Sequence, residues 1–434
     1  MTDHQSLSER FAAIRYIGDM IPIAGRGAPV APATYIGEKE GVPKFAYSPQ
    51  QRIPDPATKY STFLKDEHGV DVLRPSVALN SLGGEATRIE SGIYEGQADL
   101  GVTLPGIYVN ARGISDDGLE RIAEQALKGE KSPYTRDTLA EALRFDLEAA
   151  ETSSWTSPHR HADTYVRHAV IDDKQIWSDP SSEFFSIISR ASEKRADLLF
   201  RYFPNSALLG FWLASVAPRR HNLARSLSSV VTGYDVHEVF YGATKGDPLG
   251  GIAKSSGVRR NPGTLSLEHS SDCDPSKVGL GMVPATPAVK AFSCGVILRQ
   301  ASISLTHLRH LSVPGRPEVS ALIADALAWM GLYGILRATG DGFFRSGCDL
   351  VTGAENSSLA LIGHDASVVE WEVSLEEAAA GFRRAYEKIP DDLHFAEPIE
   401  AEYPEVIIRA RAETLVSEST SSGEKGKDGK KAGK

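Results

Sequence analysis

The stretch Pro317–Ala338 constrains the fold most. Its proline stands where a first-turn proline belongs, and Leu322, Ala326, Trp329, Met330 and Tyr333 recur at helical spacing. A strand pattern precedes this helix: Ile297, Arg299, Ala301, Ile303 and Leu305 alternate along Gly295–His307. Strand-like runs follow at Gly340–Val351 and Val368–Val373, and a last helix at Leu375–Lys388. Upstream, helices are expected from Asp116 and after Thr135, where Thr135 or Asp137 supplies the cap. Glu183–Phe203 reads as mostly helical, ending at Pro204. Asp163–Ile171, Ala207–Ser215 and Leu223–Val231 read as strands, the second a buried one of continuous apolar residues. Residues 20–60 are dense in Pro and Gly and read as loop with short strands. Strands, helices and strands again, interrupted by long insertions, favour α+β over a doubly wound parallel sheet.

The chain has 434 residues, with 47 Lys and Arg against 57 Asp and Glu, a net charge of −10. That excludes a uniformly basic nucleic-acid coat but leaves room for a local basic track. The longest apolar runs, Ala207–Ala217 and Ala326–Leu336, have 11 residues each, against the roughly 20 a spanning helix needs. Met1–Arg10 is polar and lacks the apolar core of a signal peptide. Cys273, Cys294 and Cys348 are too few and too scattered for a disulfide framework, so a reducing cytoplasm is the simplest home. The tail from 416 to 434 is Ser, Gly and Lys and reads as disordered.

Catalytic motifs are missing. Gly250–Ser255 holds a Lys-Ser pair without the glycines of a phosphate-binding loop, and Gly279-Leu280-Gly281 lacks the third glycine of a dinucleotide loop. On a strand, His159, His161 and Asp163 would share one face and start a metal site; solvated histidines on a polar strand start are the plainer reading. Cys348 reads as a core cysteine. The conspicuous chemistry is positive charge. Between Arg219 and Arg260 lie Arg219, Arg220, Arg225, Lys245, Lys254, Arg259 and Arg260, seven cations against Asp235, Glu238 and Asp247. Gly and Ser separate many of them over Gly242–Lys277, which reads as a long loop or hairpin. Guanidinium groups on small-residue loops suit phosphate oxygens.

Five phrases, in order, are similar to one family. Asn80-Ser81-Leu82-Gly83-Gly84-Glu85-Ala86-Thr87-Arg88-Ile89-Glu90 resembles a signature near the start of the backbone subunit of type I-G (formerly I-U) CRISPR surveillance complexes, with Thr87 and Gly83-Gly84 as departures. Ser157–Asp163 followed by Arg167, Pro204–Trp212, Ala224–Leu227 with Gly233–Val236, and Phe344–Leu350 resemble later phrases of that family. The resemblance covers roughly residues 20 to 375. It implies a ferredoxin-like, RRM-related RAMP core, one domain over 1–415, with a helical insertion at about 100–160 and a thumb-like hairpin at about 242–280.

It also implies a function. Such subunits line up head to tail along CRISPR RNA, grip its sugar-phosphate backbone, and leave its bases to pair with target DNA in antiviral defence. The expected partners are CRISPR RNA, target DNA, further copies of the chain and the guide-processing and large subunits of the complex, with no membrane. No catalytic residue, metal or cofactor is implied. By motif match Arg88, Arg160, Arg225 and Arg345 are expected to contact phosphate or to anchor the fold, Arg88 and Arg345 alternatively pairing with Glu90 or Asp349. Charge alone adds Arg219, Arg220, Lys254, Arg259 and Arg260 as RNA-binding candidates. Two other readings stay open: a RAMP endonuclease trimming precursor RNA with His159 or His161 as base, and a metal-dependent hydrolase on His159, His161 and Asp163.

Overall fold

The structure is a computed structural model describing residues 6–35, 44–130, 132–177, 179–213, 221–242, 246, 248–249, 257–260, 266–269, 278–280 and 287–421. Its centre is an antiparallel sheet in which Cys348–Ile362, Ala13–Pro22, Ala288–Ser304 and Leu227–Tyr241 lie side by side in that order. Helix Leu82–Glu95 falls between the first and second of these strands in the chain, and helix Pro317–Gly340 between the third and fourth. That connectivity is the split β-α-β-β-α-β arrangement. Tyr47–Arg52 and Leu73–Asn80 extend the sheet beyond Leu227–Tyr241. Phe343–Arg345 and Val368–Glu370 pair with Cys348–Ile362 at the other side. The fold is thus α+β with a large antiparallel sheet, as the order of patterns predicts.

Both crossover helices pack on one face of the sheet. Ile14, Tyr16, Leu227, Ala301 and Ile303 meet Ile89, Ile93, Leu327, Met330 and Ile335 in one continuous core. Helix Pro317–Gly340 is long and apolar enough to cross a membrane by length and composition, and most of it is buried inside the protein. A helix that is apolar all round belongs in a core when neighbours cover every side; here helices Leu82–Glu95 and Leu375–Tyr386 do so together with the sheet. Gly334 marks the tightest crossing. A Cβ there would stand 2.8 Å from Ile89 Cγ2 and from Ile93 Cγ1.

Residues 102–225 form an inserted module on the path from the first helix to the second core strand. Its small sheet runs Thr152–Ser153, Ile107–Asn110, Ile399–Glu402, Val170–Ile171, Lys174–Gln175. The middle strand comes from the C-terminal end of the chain and lies parallel to Ile107–Asn110. Helices Asp116–Leu127 and Arg136–Ala149 start at Ser115 and Thr135, whose hydroxyls accept from Gly118 N and Thr138 N.

Several local expectations are corrected. Asp163–Ile171 is not a strand: Asp163 caps the short helix Thr164–Arg167, and only Val170–Ile171 is extended. Ala207–Ser215 is not one either. Pro204 opens a helix, Pro204–Leu209, before the strand Phe211–Leu213, because an unbroken apolar run fits a buried helix as well as a buried strand. Glu183–Phe203 is split into Glu183–Arg190 and Ala196–Tyr202. The last helix, Glu405–Ser421, runs past 416, where a disordered tail was expected. Ile408, Ala412 and Val416, four residues apart, bury its inner side. Residues 422–434 lie outside the described residues.

Gly334→Ala is expected to lower stability by about 1–3 kcal/mol through overpacking of the two crossover helices. Urea unfolding of the full chain checks this; an unchanged midpoint would mean that the crossing is looser than its geometry.

Candidate nucleic-acid interface

The signature phrase that begins at Asn80 folds into a clamp. Glu85 and Glu90 lie five residues apart on one helix, about 140° around its axis, so they face different neighbours. Glu85 faces the sheet and is fully buried. Its carboxylate accepts from Asn80 Nδ2 (2.7 Å) and Ser229 Oγ (2.7 Å) and lies 3.0 Å from Arg299 Nε. Arg299 also donates from Nη1 to the carbonyl of Ala338 (2.8 Å), tying in the second crossover helix. Glu90 faces the inserted module. Arg160 donates to both its oxygens from Nε (2.8 Å) and Nη2 (2.9 Å), and Asn205 Nδ2 donates at 2.8 Å. Burial pushes the Glu90 carboxyl up, against the opposing pull of Arg160 and Asn205.

The motif-matched arginines therefore divide. Arg160 is buried, with its remaining donor Nη1 on the carbonyl of Gly210 (3.0 Å). It is a fold anchor, and its backbone sits in the left-handed region at φ 57°, a conformation that the clamp holds in place. Arg88 pairs with Asp341 (2.9 Å), not Glu90, and caps the carbonyls of Asp341 and Phe343. Its guanidinium lies 4.5 Å from the Phe344 ring, whose centroid is 5.4 Å from that of Arg299. Arg345 does not bond Asp349 either; it donates to the carbonyls of Leu79 (2.7 Å) and Ala31 (3.3 Å). Arg225 alone of the four is exposed and makes no ion pair or hydrogen bond among the described residues.

The charge-based candidates are less complete. Arg219, Arg220 and Lys254 lie outside the described residues, as does the side chain of Arg260. In the loop Gly242–Lys277 the described residues include a short ribbon, Val258–Arg260 against Leu267–His269. There Arg259 ion-pairs with Glu268, so it is not the free guanidinium that charge counting supposes.

The face of the sheet opposite the two crossover helices carries a polar stretch. Paired residues of neighbouring strands share a face. Arg15, Ser302 and Ser228 form one row, and Ile17, Gln300 and Val230 the next. At the far end of the face, Tyr60 from a connecting loop closes over Ile17, Leu298 and Tyr234. At the near end Arg15, Ser228, Val230 and Gln300 stay half-buried and Ser302 is exposed. Arg15 Nε has no hydrogen-bond partner among the described residues. The sequence reading missed Arg15, although its place two residues before Ile17 in an alternating strand puts it on the polar side.

His159, His161 and Asp163 do not converge. His159 is exposed, Asp163 caps a helix, and His161 is fully buried between the rings of Phe203 and Phe211, with Nδ1 2.7 Å from Ser206 Oγ. Among the described residues no group of three or more His, Cys, Asp or Glu side chains is placed to hold a metal ion. A general base must reach its substrate, and His161 is closed off from any. Cys294 and Cys348 are buried in the second core cluster. Burial pushes the Cys294 thiol up to about 12 and the Cys348 thiol up to about 11, which removes the thiolate a nucleophile needs. A cleft of about 700 Å³ opens on the small sheet between Arg112, Asp172, Asp173, Glu400 and Glu402.

Two measurements check this geometry. Arg299→Met is expected to cost about 3–5 kcal/mol, because Glu85 is left buried and unpaired, while Arg299→Met with Glu85→Leu recovers much of that. Denaturant titrations of the single and double variants decide it. In a Cys273→Ser chain, Cys294 and Cys348 are expected to resist a thiol reagent at about pH 8 until the protein is unfolded; rapid labelling of the native chain would contradict their burial.

No curated protein matches the chain. The model of the family described as CRISPR-associated protein GSU0053 matches residues 15–238. That span is just over half of the chain. It runs from Arg15 through the Glu85 and Glu90 clamp and the inserted module to near the end of the second core strand. The chain therefore belongs to this family of CRISPR-associated proteins.

Proposed function

We propose that the chain is a non-catalytic backbone subunit of a type I-G CRISPR surveillance complex, working in the cytoplasm in antiviral defence. Copies line up head to tail along the CRISPR RNA, hold its sugar-phosphate backbone and leave the bases free for target DNA. The guide-processing and large subunits would complete the particle. One observation carries this reading: a family match to CRISPR-associated proteins falls on a split β-α-β-β-α-β core with one open polar face.

The chemistry of that face suits a backbone more than a base sequence. Ser228, Ser302 and Gln300 offer neutral donors and acceptors to sugar hydroxyls, and Arg15 offers a guanidinium to phosphate. The core strands Leu227–Tyr241 and Ala288–Ser304 stay paired as far as Tyr241 and Ala288. Positive charge concentrated at few places on an anionic body makes such binding sensitive to salt.

Co-expression of the full chain with a CRISPR array tests the reading. The purified chain is expected to carry RNA in assemblies that nuclease reduces to smaller species. Arg15→Ala is expected to release that RNA at lower salt. A nucleotide-free preparation, or cleavage of repeat RNA by the chain alone, would overturn it.

A further inference from the structure

We infer that the hairpin Phe211–Leu213/His221–Leu223 is a base-stacking platform, with Trp212 as the ring on which an unpaired nucleobase of a single strand lies. The inference rests on the nucleic-acid reading above and adds a contact to a base, which that reading does not contain. Trp212 is 69% exposed. Trp155 and Trp177 are buried, and Trp329 and Trp371 pack against the core. An indole facing outward on a strand offers a large, rigid, flat apolar face with a polar edge, the shape that a stacked ring fits.

The platform is rigid by construction. The opposite side of the ribbon is anchored: Phe211, Leu213 and Leu223 are buried at 7%, 2% and 5% exposure, and Phe211 meets the His161 ring at 4.5 Å. Alternation along the strand then forces Trp212 outward, across from the exposed Asn222. At the base of the hairpin Gly210 has φ 74°, and a Cβ there would lie 2.5 Å from the carbonyl oxygen of Leu223 and 2.9 Å from Arg225 N. Only glycine allows the two legs to close so tightly. The Gly210 carbonyl accepts from Arg160, so the Glu90 clamp braces the hairpin.

Charge chooses the occupant. The close approach at Gly210 brings the main chain of Arg225, an exposed cation with no ion pair among the described residues, next to the base of the strand that bears Trp212. An exposed indole on the ribbon and an unneutralised guanidinium two residues beyond its end fit a polyanion with flat apolar bases. An apolar protein surface would leave the guanidinium unmatched.

The test uses the full chain freed of nucleic acid by high salt, with oligoadenylate and an abasic ribose-phosphate oligomer of equal length as probes. Trp212→Ala is expected to weaken oligoadenylate binding about tenfold, while Trp212→Phe keeps most of it. Neither change should alter affinity for the abasic oligomer, and the quenching of tryptophan emission by oligoadenylate should vanish in Trp212→Ala. Equal affinity of Trp212→Ala and the parent for oligoadenylate would overturn the platform and leave the backbone reading standing. So would a Trp212→Ala chain that loses self-association but keeps oligoadenylate binding, which would mark Trp212 as a protein contact. A parent chain that binds neither oligomer at low salt would overturn both readings.

Discussion

Two buried carboxylates on one helix hold three parts of this protein together. Glu85 binds Arg299 at the centre of the sheet, and through Arg299 reaches the last turn of helix Pro317–Gly340. Glu90 binds Arg160 and Asn205 of the inserted module. A buried charge is tolerable only with a well-placed opposite charge and hydrogen bonds to its remaining lone pairs. Such groups accept few alternative partners, so they fix how the layers meet more strictly than apolar contacts do. Gly334 and the isoleucines around it then set how closely the two crossover helices approach.

The clamp also fixes the inserted module to the core. Arg160 links Glu90 to the Gly210 carbonyl, and Gly210 starts the hairpin that carries Trp212. The C-terminal strand Ile399–Glu402 enters the module's sheet, and helix Glu405–Ser421 packs against Asp116–Leu127. The module is therefore tied down twice, by the Glu90 clamp and by the C-terminal strand and helix. Surface groups on it are held by buried contacts on several sides, and a surface ordered in advance pays less on binding any partner.

Periodicity carried the long elements. The helix from Pro317, the strand around Ile297–Ile303 and the capped helices after Ser115 and Thr135 stand where the patterns put them. Continuous apolar runs carried no such information, and Pro204–Leu209 became a helix where a strand was read. The candidate site was less legible. Motif matching found Arg88, Arg160 and Arg345 as a group, but all three spend their donors on carboxylates or carbonyls of this chain. One signal for Arg299 was present: an arginine in phase with Ile297, Ala301 and Ile303 had to be buried, and so had to be paired. Charge counting also missed that Glu268 stands across from Arg259, because partners across a ribbon are separated in the chain by the length of its turn.

By itself the sequence determined the class of fold, through the spacing of apolar residues, and the likeness to a CRISPR-associated family, through phrases kept in order. Tertiary structure decided which charges are available. Whether an arginine faces solvent or a buried carboxylate depends on residues tens to hundreds of positions away, such as Glu90 for Arg160 and Asp341 for Arg88. Local pattern encodes the face of an element, but long-range packing sets what that face meets. That is why the half-buried Arg15 and the exposed Trp212 emerged as candidates only once the strands were paired.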